Sequence, residues 1–363
     1  MEPAKHPLDD ASRQWRTFAA MFVAIFVGGL VLVYGFIVLM DPYGINPYAL
    51  PIQRAIVSIS QRYMYPQLIR SHRFDSFVIG TSTSRLLDPR ILNQTFHARF
   101  VNLGMDSMTA WEQSTVMDYF VRKVGVPKVL LVGLDGVWCD SDAGSHRITF
   151  RGFPGWLYKD TAAPAFAYLL NYGTLEIAGR LVGYQLGLYP ERIRNDGFEV
   201  FVPPDDTYDP ERARRNINRR PMPVDRRDSP PPQFSFPALP WLDAALVKMP
   251  HSIKILTYMP VHVAAQPAPG SREEQAEIEC KRQIAAIAAN RHAVVIDWRI
   301  ASPITEDDAN YWDAVHYRLP LAQRIARETA AAVLSGSPAP DGAYRIVVRA
   351  EGDAPDRRRG ALP

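Results

Sequence analysis

Cysteine is scarce: Cys139 and Cys280 are the only two in 363 residues. A disulfide-built scaffold is therefore excluded, and no metal site can be assembled from cysteine spacing. The two could pair if both lie outside the cytoplasm, but two buried free thiols would be equally ordinary. An excess of charge is also missing. The chain has 41 basic and 38 acidic residues, a net charge of +3, which gives no reason to expect a nucleic-acid partner. No internal repeat is found. Proline is plentiful instead, with 31 residues concentrated in the middle and at the end, so long irregular segments should surround a folded core. At 47% hydrophobic residues, that core can be sizeable.

The strongest local signal is one long run without charge, Thr17 to Met40. As a helix it would extend ~36 Å, sufficient to cross a bilayer. It ends in Met40-Asp41-Pro42-Tyr43-Gly44, which offers no small-residue cleavage site, so an uncleaved anchor is expected rather than a signal peptide. Lys5, Arg13 and Arg16 precede the run, and Arg54 is the only basic residue shortly after it. The positive-inside rule then keeps the N-terminus in the cytoplasm and sends everything after Asp41 across the membrane.

Beyond the anchor, Pro51–Arg70 reads as a helix within a connecting segment, 41–73. Strands are expected at Ser76–Ile79, Phe100–Asn102, Val129–Leu134, Ile253–Tyr258 and Ala293–Ile296. Helices are expected at Pro89–Gln94, Thr109–Val124 and Glu273–Asn290, with a last one from Pro320 to about Leu334. Such alternation implies an α/β fold with a parallel sheet covered by helices on both faces. It is interrupted by an insertion at about 139–250, whose Pro- and Arg-rich stretch, 203–233, reads as a solvated, partly disordered loop, with a basic patch for an acidic glycan or lipid as the alternative. The organisation expected is a cytoplasmic segment 1–16, an anchor 17–40, the connection, a domain 74–335 and a mobile tail 336–363.

Reactive groups of parallel α/β sheets gather beyond the carboxyl ends of the strands. Beyond the first strand comes Gly80-Thr81-Ser82-Thr83-Ser84, at the end of the second Asn102-Leu103-Gly104, and beyond the third Asp135-Gly136. Asp313-Ala314-Val315-His316 comes after the last strand. A serine hydroxyl needs a base, and the base needs an orienting carboxylate. Asp-x-x-His spacing lets Asp313 hold one ring nitrogen of His316 and leave the other for Ser82. The amides of Ser82 and Gly104 would then face a developing oxyanion. Taken singly, the glycine-serine turn also suits a phosphate-binding loop, and Asp-x-x-His also suits a helix cap. His262, just past the fourth strand, could contact substrate or sit at the surface. Arg85 could bind substrate, Trp312 reads as packing, and Asp297 as a cap of the segment that follows it.

These blocks resemble the SGNH (GDSL-like) hydrolase superfamily over roughly residues 74–134 and 254–334. The resemblance implies a three-layer α/β/α, flavodoxin-like sheet, an acyl-serine intermediate and no metal or organic cofactor. Ser82 corresponds to the nucleophile, with Ser84 as a second candidate. Where the family often carries an asparagine as oxyanion donor, this chain has Asp135, an acceptor unless protonated. The anchor followed by Asp41-Pro42-Tyr43-Gly44 is similar to membrane-tethered bacterial members that acylate cell-envelope polymers. The implied protein is a single-pass inner-membrane esterase or O-acyltransferase with its catalytic domain in the periplasm. Its substrate would be an acylated envelope glycan or a small acyl ester, with a membrane acyltransferase as a further partner. The alternatives are a non-catalytic scaffold of the same fold that binds polysaccharide or that partner, and an anion-binding flavodoxin-like domain.

Overall fold

The computed structural model describes residues 7–160, 163–219 and 234–349. They fall into two units. One comprises the chain up to Ser58 together with Thr161–Glu191; the other is Ile59–Asp160 and everything from Arg192 onward.

The first unit is helical. Helix α1 (Pro7–Met40) contains the charge-free run, and from Ser12 to Met40 it is long and apolar enough to cross a membrane. The single turn α5 (Ala163–Phe166) and helix α6 (Tyr172–Gln185) belong to the same unit. Helix α6 starts at Asn171, whose side chain accepts from the Thr174 amide, and it packs on α1. The Tyr43 hydroxyl lies 3.2 Å from that of Thr174.

The second unit is α/β. It runs α2 (Gln61–Arg70), β1 (Ser76–Ile79), α3 (Pro89–Phe96), β2 (Phe100–Asn102), α4 (Ala110–Val124) and β3 (Val129–Leu134). After the break come α7 (Pro210–Ile217), α8 (Leu239–Val247), β4 (Ile253–Tyr258), α9 (Arg272–Asn290), β5 (Ala293–Asp297), α10 (Leu319–Ser335) and β6 (Arg345–Val348). The six strands form one sheet in the order β2-β1-β3-β4-β5-β6, parallel except for β6. Every residue of β1, β2, β3 and β5 is buried, as strands covered on both faces require. Alternate side chains enter different neighbourhoods. Val78, Leu131, Ile255 and Ile296 share a cluster with Leu92 of α3 and Ile325 of α10. Phe77 instead meets Phe120 of α4, ring centres 4.4 Å apart.

Two expectations need correction. The helix read over Pro51–Arg70 covers only Gln61–Arg70. The preceding stretch buries Ala55, Ile56 and Val57 consecutively, which suits an extended chain and not a helix with one inward face. The tail is not irregular throughout: Arg345–Val348 pairs antiparallel with β5, Asp297 opposite Arg345. Within the expected insertion, 161–191 goes with the anchor helix while the residues from Arg192 belong to the sheet-bearing unit. The arginine-rich stretch includes helix α7, and its residues 220–233 lie outside the described ones, as do 350–363 of the tail. Cys139 and Cys280 form a disulfide, which ties the turn beyond β3 to α9.

Candidate active site

Ser82 opens a 3-10 turn, Ser82–Ser84, directly beyond β1. Two glycines allow the chain to fold back so tightly. A Cβ on Gly80 would lie 2.3 Å from Ser84 Oγ, and one on Gly133 of β3 only 1.8 Å from the same atom. Ser84 is thus the packing residue of the pair, fully buried between strand ends, and Ser82 is the half-exposed one. Thr81 occupies the cap position without capping the turn; its hydroxyl goes to Asp135 instead. The first amides of a helical turn have no partner within it, and the Ser82 amide is one of these.

The partner of Ser82 arrives from the other end of the chain. Ser82 Oγ is 3.0 Å from His316 Nε2, and His316 Nδ1 is 2.8 Å from Asp313 Oδ2. Asp313 Oδ1 also accepts from the amides of Val315 and His316, each at 2.8 Å. With its carboxylate accepting from Nδ1–H, Nε2 is left to take the serine proton. Partial burial pushes the Asp313 carboxyl upward, but the hydrogen bonds from the His316 ring and from the two amides outweigh it and hold the group below its ordinary range. Asp313 therefore contributes its full stabilisation above the ordinary carboxylate range, and that contribution is lost only as pH falls through the lowered folded value.

The loop bearing this pair is braced at both ends. Tyr311 and Tyr317 bridge as an antiparallel pair, and the Trp312 amide donates to the His316 carbonyl at 2.9 Å. The Tyr317 phenol donates to the Thr83 carbonyl, which joins the loop of Asp313 and His316 to the turn of Ser82. The ring of Phe201 stands edge-on to His316, centres 5.6 Å apart.

The remaining expected residues take supporting positions. Asp135 accepts from the hydroxyls of Thr81 and of Thr83 (2.9 Å), and from Arg299 Nη2 at 2.8 Å. Its carboxylate is aimed at the two threonines flanking Ser82, so it holds that turn and is not placed as an oxyanion donor. The Gly104 amide already has an acceptor, Asn102 Oδ1 at 2.9 Å. Asn102 is fully buried and donates to the carbonyls of Ser84 and Leu87, each at 2.9 Å, so it fastens the chain beyond the turn of Ser82. Arg85 is buried, pairs with Glu199 and stacks its guanidinium 4.2 Å from the centre of the Phe201 ring. His262 is buried too; its Nδ1 accepts from the Ala264 amide at 3.1 Å, and its own amide donates to the Ala314 carbonyl at 3.0 Å. It thereby fixes the loop that carries Asp313. Trp312 packs beside Tyr208, and Asp297 accepts from the Arg299 amide at 2.9 Å, as a cap would. No three His, Cys, Asp or Glu side chains among the described residues group in a way that could hold a metal ion.

Sequence reasoning missed Glu199 and Phe201, which sit in a stretch without periodicity, and Arg299, which looked like any charged residue after a strand. Thr81 and Thr83 carried a readable signal: two hydroxyls around the serine need an acceptor, and Asp135 is one. Gly197 was missed as well. It has φ +79°, and a Cβ there would lie 1.9 Å from the Asn102 carbonyl oxygen. Gly197→Ala is expected to cost about 2–4 kcal/mol, through strain at positive φ and displacement of Asn102. A lower urea midpoint at unchanged slope would report it, and an unchanged midpoint would contradict the packing described.

Serine, imidazole and carboxylate in series can carry out nucleophilic acyl transfer, whatever chain order brings them together. No family model matches this chain, and no curated protein matches it either.

Proposed function

We propose that the protein is a serine esterase or O-acyltransferase of the SGNH type, anchored in the bacterial inner membrane with its α/β unit in the periplasm. One observation carries the reading: the unbroken hydrogen-bonded series Ser82–His316–Asp313, built from the two ends of the sheet-bearing unit. The three-layer form of the fold is supported by the strand order and by the separate surroundings of Val78 and Phe77. Anchoring is supported by α1, and the outward orientation by the basic residues before it and by the Cys139–Cys280 disulfide, a bond characteristic of oxidising compartments.

In the mechanism that follows, Ser82 Oγ attacks the acyl carbonyl while His316 Nε2 takes its proton, and Asp313 steadies the imidazolium. The Ser82 amide donates to the tetrahedral oxyanion. The protonated His316 then donates to the departing alcohol oxygen, leaving an acyl-serine. Water or a sugar hydroxyl, deprotonated in turn by His316, attacks the acyl carbon, and His316 returns that proton to Ser82 Oγ as the acyl–serine bond breaks. An acylated envelope glycan is the substrate class that suits the proposed compartment, and a membrane acyltransferase is the partner that would supply or receive acyl groups there.

A second reading, a polysaccharide-binding or acyltransferase-binding scaffold, draws on a specific observation. Asp135 is an acceptor and the Gly104 amide is occupied, which leaves few donors for an oxyanion. Assay of the full chain on p-nitrophenyl acetate and on an O-acetylated polysaccharide separates the two. Acyl release that disappears in Ser82→Ala supports the enzyme. No release by folded wild type on either substrate supports the scaffold.

A further inference from the structure

The exposure of α1 changes abruptly along its length. Every residue from Ser12 to Leu32 is exposed, about 31 Å of helix, and from Val33 to Met40 only Leu39 is. Trp15 lies near the start of this stretch and Tyr34 just past its end, about 29 Å apart along the helix. That is the thickness of a bilayer's hydrocarbon core, and Trp and Tyr favour its two boundaries. The Tyr34 hydroxyl donates to the carbonyl of Phe166 at 3.2 Å, a residue far away in sequence but in the same unit as α1. The chain at Phe166 is therefore held at the level where α1 leaves the hydrocarbon.

The residues around that point fit a boundary. From Ala163 to Leu175 there is no charged side chain. Ala165 and Leu169 are buried, whereas Tyr168, Leu170 and Tyr172 are 56%, 47% and 81% exposed. Three large side chains turned outward from an uncharged stretch are costly in water, and two are tyrosines, whose rings settle at the headgroup level with the hydroxyl in the wet layer.

We propose that Ala165–Tyr172 is a second membrane contact, inserting Tyr168, Leu170 and Tyr172 into the lipid interface beside the exit of α1. The proposal rests on α1 crossing the bilayer, and its test separates the two. Single cysteines are introduced in the full chain, whose native pair is oxidised and unreactive, at Leu170, Tyr172, Phe26 and Ile278. Each carries a nitroxide label in nanodiscs of phosphatidylethanolamine and phosphatidylglycerol, where accessibility to oxygen and to a water-soluble nickel chelate is compared. Phe26→Cys is expected to be deep and Ile278→Cys aqueous. Leu170→Cys and Tyr172→Cys should then show an oxygen-to-nickel ratio severalfold above that of Ile278→Cys. Values equal to Ile278→Cys, with Phe26→Cys still deep, would overturn the proposal alone and leave a protein as the occupant of this surface. An aqueous Phe26→Cys would overturn the anchor and the proposal together.

Discussion

His316→Ala is expected to lower kcat/KM for an acyl ester by ~10⁴-fold or more, because the base and nucleophile of such a series act as a unit. The side-chain base within reach of Ser82 is His316 Nε2 at 3.0 Å, and without it the serine proton loses its acceptor. Ser82→Ala should lose as much, and the double variant should be no worse than either. Losses that instead multiply in the double variant would mean the two residues work independently, against the geometry described. Asp313→Asn should be less severe than either, since the Val315 and His316 amides still hold the loop while ring orientation and charge compensation are lost.

The largest effect on stability is expected at Asp135. Removing it as Asp135→Ala leaves the Arg299 guanidinium without its carboxylate at a site where both side chains are only 11% exposed. Breaking one side of a buried pair costs about 3–5 kcal/mol. Thr81 and Thr83 lose their common acceptor at the same time, so the nucleophile turn loosens and residual turnover should fall beyond what reduced folding explains. Asp135→Asn keeps the shape and one acceptor oxygen, and should retain more stability than Asp135→Ala. It should not gain activity as a new oxyanion donor, because the side chain at this position is aimed at the two threonines. Urea unfolding and ester turnover, measured on the same preparations, test both parts. An Asp135→Ala protein as stable as wild type would refute the clamp.

The hydrogen-bonded series Ser82–His316–Asp313 and most of the sheet were legible because their signals are local. β1, β2, β3 and β4 were read to the residue, since short apolar β-branched runs bounded by turns can hardly form anything else when buried on both faces. Asp313 and His316 were legible because a three-residue spacing already brings their side chains together. β6 was not. Arg345–Val348 has alternating exposure, lies amid Pro, Gly and Asp, and becomes a strand only because β5 offers an edge to pair with. The supporting residues were hidden for a similar reason. Glu199 and Phe201 matter through Arg85 and His316, which are distant in sequence, and nothing in a stretch without periodicity announces such contacts. The role of Asp135 was open until its partners were known; one carboxylate can hinder an oxyanion or hold a turn, and only its hydrogen bonds decide which.

The most direct test of the central claim is labelling of the full chain in detergent with a fluorophosphonate probe, which reacts readily with an activated serine and far more slowly with an ordinary one. Wild type and Ser84→Ala should label, because Ser84 is buried packing, while Ser82→Ala and His316→Ala should not. Folded wild type that fails to label, or labelling that survives Ser82→Ala, would contradict the assignment of Ser82 as a nucleophile activated by His316.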